Sequence, residues 1–125
     1  MQHQTIYEKL GDERLKLILD TFYDKVFENP VLSPLFNKTE KDSIKHKQFC
    51  FLTQFLGGPP RYNEIYGPPR MRARHLPHRI DETAKNEWLK LMKESIQTLD
   101  MDEGFKDALY NCFPKLADHM KNTYD

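Results

Sequence analysis

Long apolar runs are missing from this sequence: the longest, Phe49-Cys50-Phe51-Leu52, stops at Thr53. A membrane-spanning helix needs about 20 such residues and a signal-peptide core roughly 7–15, so neither is expected. Cysteine is scarce. Cys50 and Cys112 are too few for the disulfide-dense framework of a small secreted scaffold. Nor is there an excess of charge of one sign, since 19 lysines and arginines balance 19 acids. Nucleic-acid binders usually carry a basic surplus, so no nucleic-acid partner is expected. Sustained strand-type alternation is absent as well. At 125 residues, the expectation is one cytoplasmic domain spanning 1–125, with no membrane partner.

What is present is helical periodicity. Leu15, Ile18, Leu19, Phe22, Tyr23, Val26 and Phe27 recur at alternating spacings of three and four, one apolar stripe on a helix. Glu28-Asn29-Pro30 ends it, because the residue before proline is pushed out of the helical region. Val31 to Phe36 reads as a tight helical turn or loop. Thr39 stands where an N-cap belongs, and Ile44, Gln48, Phe51, Leu52 and Phe55 form a second stripe that Gly57-Gly58-Pro59-Pro60 stops. Asp81 is placed to cap a third helix carrying Trp88, Met92, Ile96 and Leu99. After a break near Asp102-Glu103-Gly104, a last helix holds Phe105, Leu109, Cys112, Phe113, Leu116 and Met120, with a kink expected at Pro114. The fold class expected is all-α, with four main helices and one irregular connection.

That connection, Gly57 to Pro77, holds three of the five glycines and five of the eight prolines. It reads as an ordered loop with one helical turn before His75. Arg61, Arg70, Arg72, Arg74 and Arg79 cluster in and just beyond it, with Glu64 the sole acid among them. His75 sits in Arg72-Ala73-Arg74-His75-Leu76-Pro77-His78, where Pro77 fixes the backbone just after it. Such a histidine reads either as a surface side chain in a basic loop or as a metal ligand. A zinc site wants three or four Cys, His or carboxylate ligands at short spacings, and no such set accompanies His75. A lone histidine suffices where a porphyrin supplies four nitrogens. Guanidiniums beside it would then meet the two propionates of a haem; the alternatives are a solvated loop or, weakly, a nucleic-acid patch.

Tyr23, Gln48 and Trp88 each lie on or beside the core stripe of a different helix. A buried polar group without a partner costs about 1–3 kcal/mol. Each could be satisfied by a neighbour, or the three could converge on one bound ligand. Dioxygen bound at a haem takes on negative charge, and a donor aimed at it contributes ~1.5–3 kcal/mol. Neither cysteine belongs to a Cys-x-x-Cys-His segment, so any haem is b-type and non-covalent. Both thiols read as packing or surface residues, with Cys50 turned away from Gln48.

Phe22-Tyr23, Gly57-Gly58-Pro59, Arg72-Ala73-Arg74-His75-Leu76-Pro77 and Trp88 resemble the motifs of the second group of truncated haemoglobins. The resemblance runs from about Tyr7 to about Met120. It implies a truncated globin fold: a two-over-two helical sandwich around haem b, with most of the proximal helix replaced by a loop. It further implies that His75 is the proximal iron ligand, that Tyr23 is the distal tyrosine and that Trp88 is the tryptophan marking this group and the third. Gln48 matches a distal position, Phe36 a position packing on the haem face and Ile44 the distal gate. Lys47, Tyr62 and Arg74 match positions reaching the propionates or the haem edge, and Phe51, Met71, Ile80 and Met92 complete the expected cofactor contacts. Relatives can carry tyrosine or histidine where this chain has Phe36, so one hydroxyl is absent here. Ile44 is bulkier than the gate residue often found.

The resulting expectation is a haem protein binding dioxygen or another diatomic ligand tightly through Tyr23, Gln48 and Trp88. Tight binding suits redox or detoxification chemistry (nitric oxide dioxygenase-like or peroxidase-like, served by a reductase) better than transport. A dioxygen-binding or sensing globin, monomeric or homodimeric, is the other haem-based reading. A haem-free helical module that binds an acidic partner through the arginine-rich loop is the alternative from a different class.

Overall fold

The computed structural model describes residues 4–36, 40–67 and 81–120, and all regular structure among them is helical. The helices are α1 (Ile6–Leu10), α2 (Asp12–Glu28), α3 (Lys41–Phe55), α4 (Arg61–Tyr66), α5 (Glu82–Gln97), α6 (Glu103–Tyr110) and α7 (Phe113–Met120), with a 3₁₀ turn at Ser33–Phe36. The expected stripe on α2 is the buried one: Leu15, Ile18, Leu19, Phe22, Tyr23 and Val26 are all buried. That face packs on α5 and on α3, while α5 carries α6 and α7. Phe55 of α3 meets Phe113 of α7 at 6.3 Å between ring centroids. The pairs α2–α3 and α5–α7 thus form two stacked layers, the sandwich expected from the resemblance. The chain's apolar faces supply the burial that holds them together.

Local chemistry sets the ends of these helices. Asp81 caps α5 by accepting a hydrogen bond from the Ala84 N–H at 2.9 Å, as its sequence position predicts. Asp102 does the same for α6 through Phe105 N–H at 3.0 Å. Asn29 ends α2, and its side-chain oxygen accepts from the N–H groups of Val31 (2.8 Å) and Leu32 (3.0 Å), which turns the chain into the 3₁₀ segment. Its Nδ2 donates to Glu87 Oε1 of α5 at 3.0 Å.

Four expectations need correction. The N-cap of α3 is Glu40, with no side-chain capping bond; Thr39 lies outside the described residues. The segment 61–66 is helix α4 rather than loop, with Pro60 at its N-cap, and the expected turn before His75 lies outside the described residues. The last helix is not kinked but divided: α6 ends at Tyr110, and Pro114 is the second residue of α7, in the first turn, where a missing N–H costs nothing. The short helix α1, closed by a capping box between Thr5 and Glu8, was not expected at all.

The corner between α3 and α4 is tightly closed. A methyl carbon added at Gly58 would lie 2.5 Å from Tyr7 Cδ2 and 2.8 Å from the Thr53 carbonyl oxygen. One of those contacts is backbone, so the corner cannot yield by a rotamer change. Gly58→Ala is expected to destabilise by about 1–3 kcal/mol in chemical denaturation; an unchanged midpoint would show that Tyr7 does not seal this corner.

Candidate functional site

The site begins on α2. Phe22 is fully buried, and its ring stands edge-on between two polar aromatics, Tyr23 at 4.9 Å and Trp88 of α5 at 5.2 Å. The 3₁₀ turn brings Phe36 onto the other side of Tyr23, 6.1 Å away and T-shaped. Behind Trp88 stands Phe113 of α7 at 5.9 Å. Four helical segments therefore converge on one aromatic cluster.

Tyr23 is 3% exposed, and burial alone pushes its hydroxyl far above the ordinary tyrosine value, with no hydrogen bond or charge offsetting it. The phenol is therefore a neutral O–H donor at any physiological pH. Among the described residues no polar side-chain atom that is wholly sealed from solvent lacks a partner. The Tyr23 hydroxyl, unpaired there, must face free space. The Trp88 indole and the half-buried Gln48 amide likewise have no hydrogen-bond partner among the described residues. The Tyr23 phenol and the Trp88 indole, each packed edge-on against Phe22, are thus two unpaired donors available to a polar ligand.

A second group of expected site residues gathers on α3 and α4. Phe51 meets Tyr62 edge-on at 5.9 Å, and Tyr62 meets Tyr66 at 5.0 Å. Lys47 sets its Nζ 5.7 Å over the Tyr66 ring. Ile44 is half-buried against the core, and Met92 is buried on α5. The two groups are joined by a stack of Phe51 on Phe55 at 5.7 Å, which leads on to Phe113. Met71, Arg74, His75 and Ile80 lie outside the described residues, as do Arg70, Arg72 and Arg79. Among the described residues no three His, Cys, Asp or Glu side chains form a metal-holding group.

One arginine of the basic cluster has another task. Arg61 grips Asp12 with both terminal guanidinium nitrogens, Nη1 at 3.0 Å and Nη2 at 3.3 Å, and Tyr7 donates its hydroxyl to the same carboxylate at 2.6 Å. Arg61 first, then Tyr7, holds the Asp12 carboxyl below its usual range. The guanidinium also lies over the rings of Tyr7 and Phe49. It ties α4 to the start of α2 and so is not offered to a propionate or an acidic partner. Sequence proximity grouped it with the other arginines; its true partner is 49 residues away. The sequence reading also missed the pairing of His46 with Tyr66, and Phe22 and Phe113 as the rings that brace Tyr23 and Trp88. The stripe positions of both phenylalanines mark them as core rings, which does not distinguish a brace from a filler. Cys50 is buried and Cys112 half-buried, and burial raises both thiols, in keeping with packing roles.

Two helical layers around an interior lined with aromatic rings and unpaired polar donors define a small all-α protein of globin type. The family model described as bacterial-like globin matches residues 5–122, and the chain belongs to that family. It is 39% identical over 116 residues to the group 2 truncated haemoglobin YjbI of Bacillus subtilis, an overlap of 93% of this chain and 87% of that protein. The crystal structure of the group II truncated haemoglobin of Bacillus anthracis superposes with a TM-score of 0.93 at 34% identity, covering 100% of this chain and 96% of that one. A truncated oxygen-avid haemoglobin from Bacillus subtilis gives 0.88 at 38% identity, covering 95% and 100%. The fold is the truncated globin fold. The chain is a haem b protein that holds its cofactor without a covalent link and binds small diatomic ligands there. No described helix is long and apolar enough to cross a membrane.

Proposed function

We propose that this globin binds dioxygen tightly and serves redox or detoxification chemistry, with nitric oxide or a peroxide as the substrate, rather than transport. The observation that carries the reading is the Tyr23 hydroxyl, buried, neutral and unpaired among the described residues, with the Trp88 indole beside it across Phe22. Haem iron supplies the centre at which a diatomic ligand binds and takes on negative charge. Tyr23 would donate its O–H to that ligand, the Trp88 N–H would give a second hydrogen bond, and the Gln48 amide, on the neighbouring α3, would give a third. Hydrogen bonds to a charged acceptor contribute about 1.5–3 kcal/mol each, so such a site retains its ligand. Retention suits turnover, with a reductase restoring the iron, better than delivery. The similarity to a haemoglobin described as oxygen-avid supports this choice.

His75 would hold the iron, Phe36, Ile44, Phe51, Met71, Ile80 and Met92 would line the haem, and Lys47, Tyr62 and Arg74 would serve its propionates. The test is the absorption spectrum of the ferrous protein with and without dioxygen, repeated on His75→Ala. The expected result is a Soret band that shifts on oxygenation in the parent and loses its histidine-ligated form in the variant. Retained haem with unchanged coordination in His75→Ala would refute the proximal assignment.

A further inference from the structure

Ligand binding by Tyr23 and Trp88 leaves a second set of polar aromatics unused. Tyr66 of α4 lies 2.9 Å through its hydroxyl from His46 Nδ1 of α3. The other ring nitrogen, Nε2, is 3.8 Å from Cys50 Sγ one helical turn on. With the hydrogen on Nε2 and directed at the sulfur, Nδ1 is free to accept and the phenol donates. Burial raises the Tyr66 hydroxyl above its ordinary value, so it keeps its proton at neutral pH. His46 is exposed, which gives a proton received there a way to solvent. Inward, the Tyr66 ring is 5.0 Å from that of Tyr62, which is 3% exposed and lies 5.9 Å from Phe51. A phenylalanine at 66 would pack equally well on Tyr62; the hydroxyl aimed at an imidazole is what packing does not require.

We propose that the Tyr66–His46 pair is a proton-coupled oxidation site, an electron port that returns single electrons to the oxidised haem by way of Tyr62. The inference rests on the haem reading above, with Tyr62 at the cofactor's edge. A hydroperoxide is the oxidant: its O–O bond breaks, it takes two electrons from the haem centre and two protons from solvent, and it leaves as an alcohol and water. Tyr66 returns one of those electrons through Tyr62. Its O–H bond breaks, and the proton forms an N–H bond at His46 Nδ1, leaving a neutral phenoxyl radical beside an imidazolium. A small dissolved phenol or enediol then gives Tyr66 one electron, losing its own proton to solvent as His46 hands its proton back. Two such passes restore the haem centre, so two donor molecules are oxidised for each hydroperoxide reduced.

The experiment mixes the ferric, haem-loaded full chain with one equivalent of hydrogen peroxide, freezes it rapidly and records the electron paramagnetic resonance spectrum beside the Soret band. The expected result is a phenoxyl radical in the parent that is lost in Tyr66→Phe, while the resting Soret band and melting temperature stay as they were. In His46→Leu, which removes the proton acceptor, formation of the radical is expected to slow by on the order of 100-fold. The g-values should move to those of a phenoxyl without a hydrogen-bond partner. An identical radical in the parent and Tyr66→Phe, or an intact Soret band with no phenoxyl radical, would overturn the electron port and leave the haem reading standing. Absence of any Soret band after haem addition would overturn both.

Discussion

Tyr23→Phe is expected to release dioxygen faster than the parent protein by on the order of 10- to 100-fold, the loss of one hydrogen bond to a charged acceptor. The substitution is clean because the ring stays. Its edge contacts with Phe22 at 4.9 Å and Phe36 at 6.1 Å do not involve the hydroxyl, and that hydroxyl pairs with nothing among the described residues. Folding stability should therefore hold, since no hydrogen bond to a described residue is lost. Stopped-flow displacement of dioxygen and chemical denaturation on the same sample separate the two effects. A slower-folding or less stable variant with an unchanged release rate would mean that the hydroxyl serves the fold and not the ligand. Trp88→Phe in the same assay reports on the indole N–H.

Haem saturation should raise the melting temperature more than any single side chain can. A ligand that binds only the folded state stabilises by about 4 kcal/mol at a thousandfold excess over its Kd. For a chain of this size that is a rise on the order of 10–20 °C. The aromatic cluster explains why the haem-free chain should suffer. Tyr23 and Trp88 are braced by Phe22 and Phe113, and Phe36 by Phe27, so without the cofactor the donors of this cluster lose the group they are proposed to face. Calorimetry with and without haem checks this. Equal melting temperatures would mean that the cofactor adds nothing to the packing of the two layers.

Much of the architecture was legible because its signals are local. The α2 stripe, the Asp81 cap and the stop at Gly57-Gly58 each act within a few residues, and the structure repeats them. The misreadings share a cause: one residue can punctuate in two directions. Pro59-Pro60 reads only as the end of α3, yet Pro60 is also the N-cap of α4, its carbonyl accepting from the Glu64 N–H. Pro114 likewise reads as an interruption, yet it stands in the first turn of α7. Helix α1 is too short for periodicity to register, although Thr5 and Glu8 carried a capping signal.

Within the site, Tyr23 and Trp88 could be singled out as polar residues on apolar faces. Phe22 and Phe113 could not, since a ring bracing a ligand donor has the same sequence signature as one filling a core. The Asp12–Arg61–Tyr7 group and the His46–Tyr66 pair were invisible for another reason. Each depends on how α4 docks, and no spacing along the chain encodes that.

Asn29 has a consequence beyond ending a helix. One end of its carboxamide sets where the backbone bends toward Phe36, and the other grips Glu87, the residue before Trp88. Phe36 and Trp88 flank Tyr23 and Phe22 from opposite sides, so this amide works as a spacer bar between facing walls. The separation of Phe36 and Trp88 is thereby set by one side chain rather than by two independent turns.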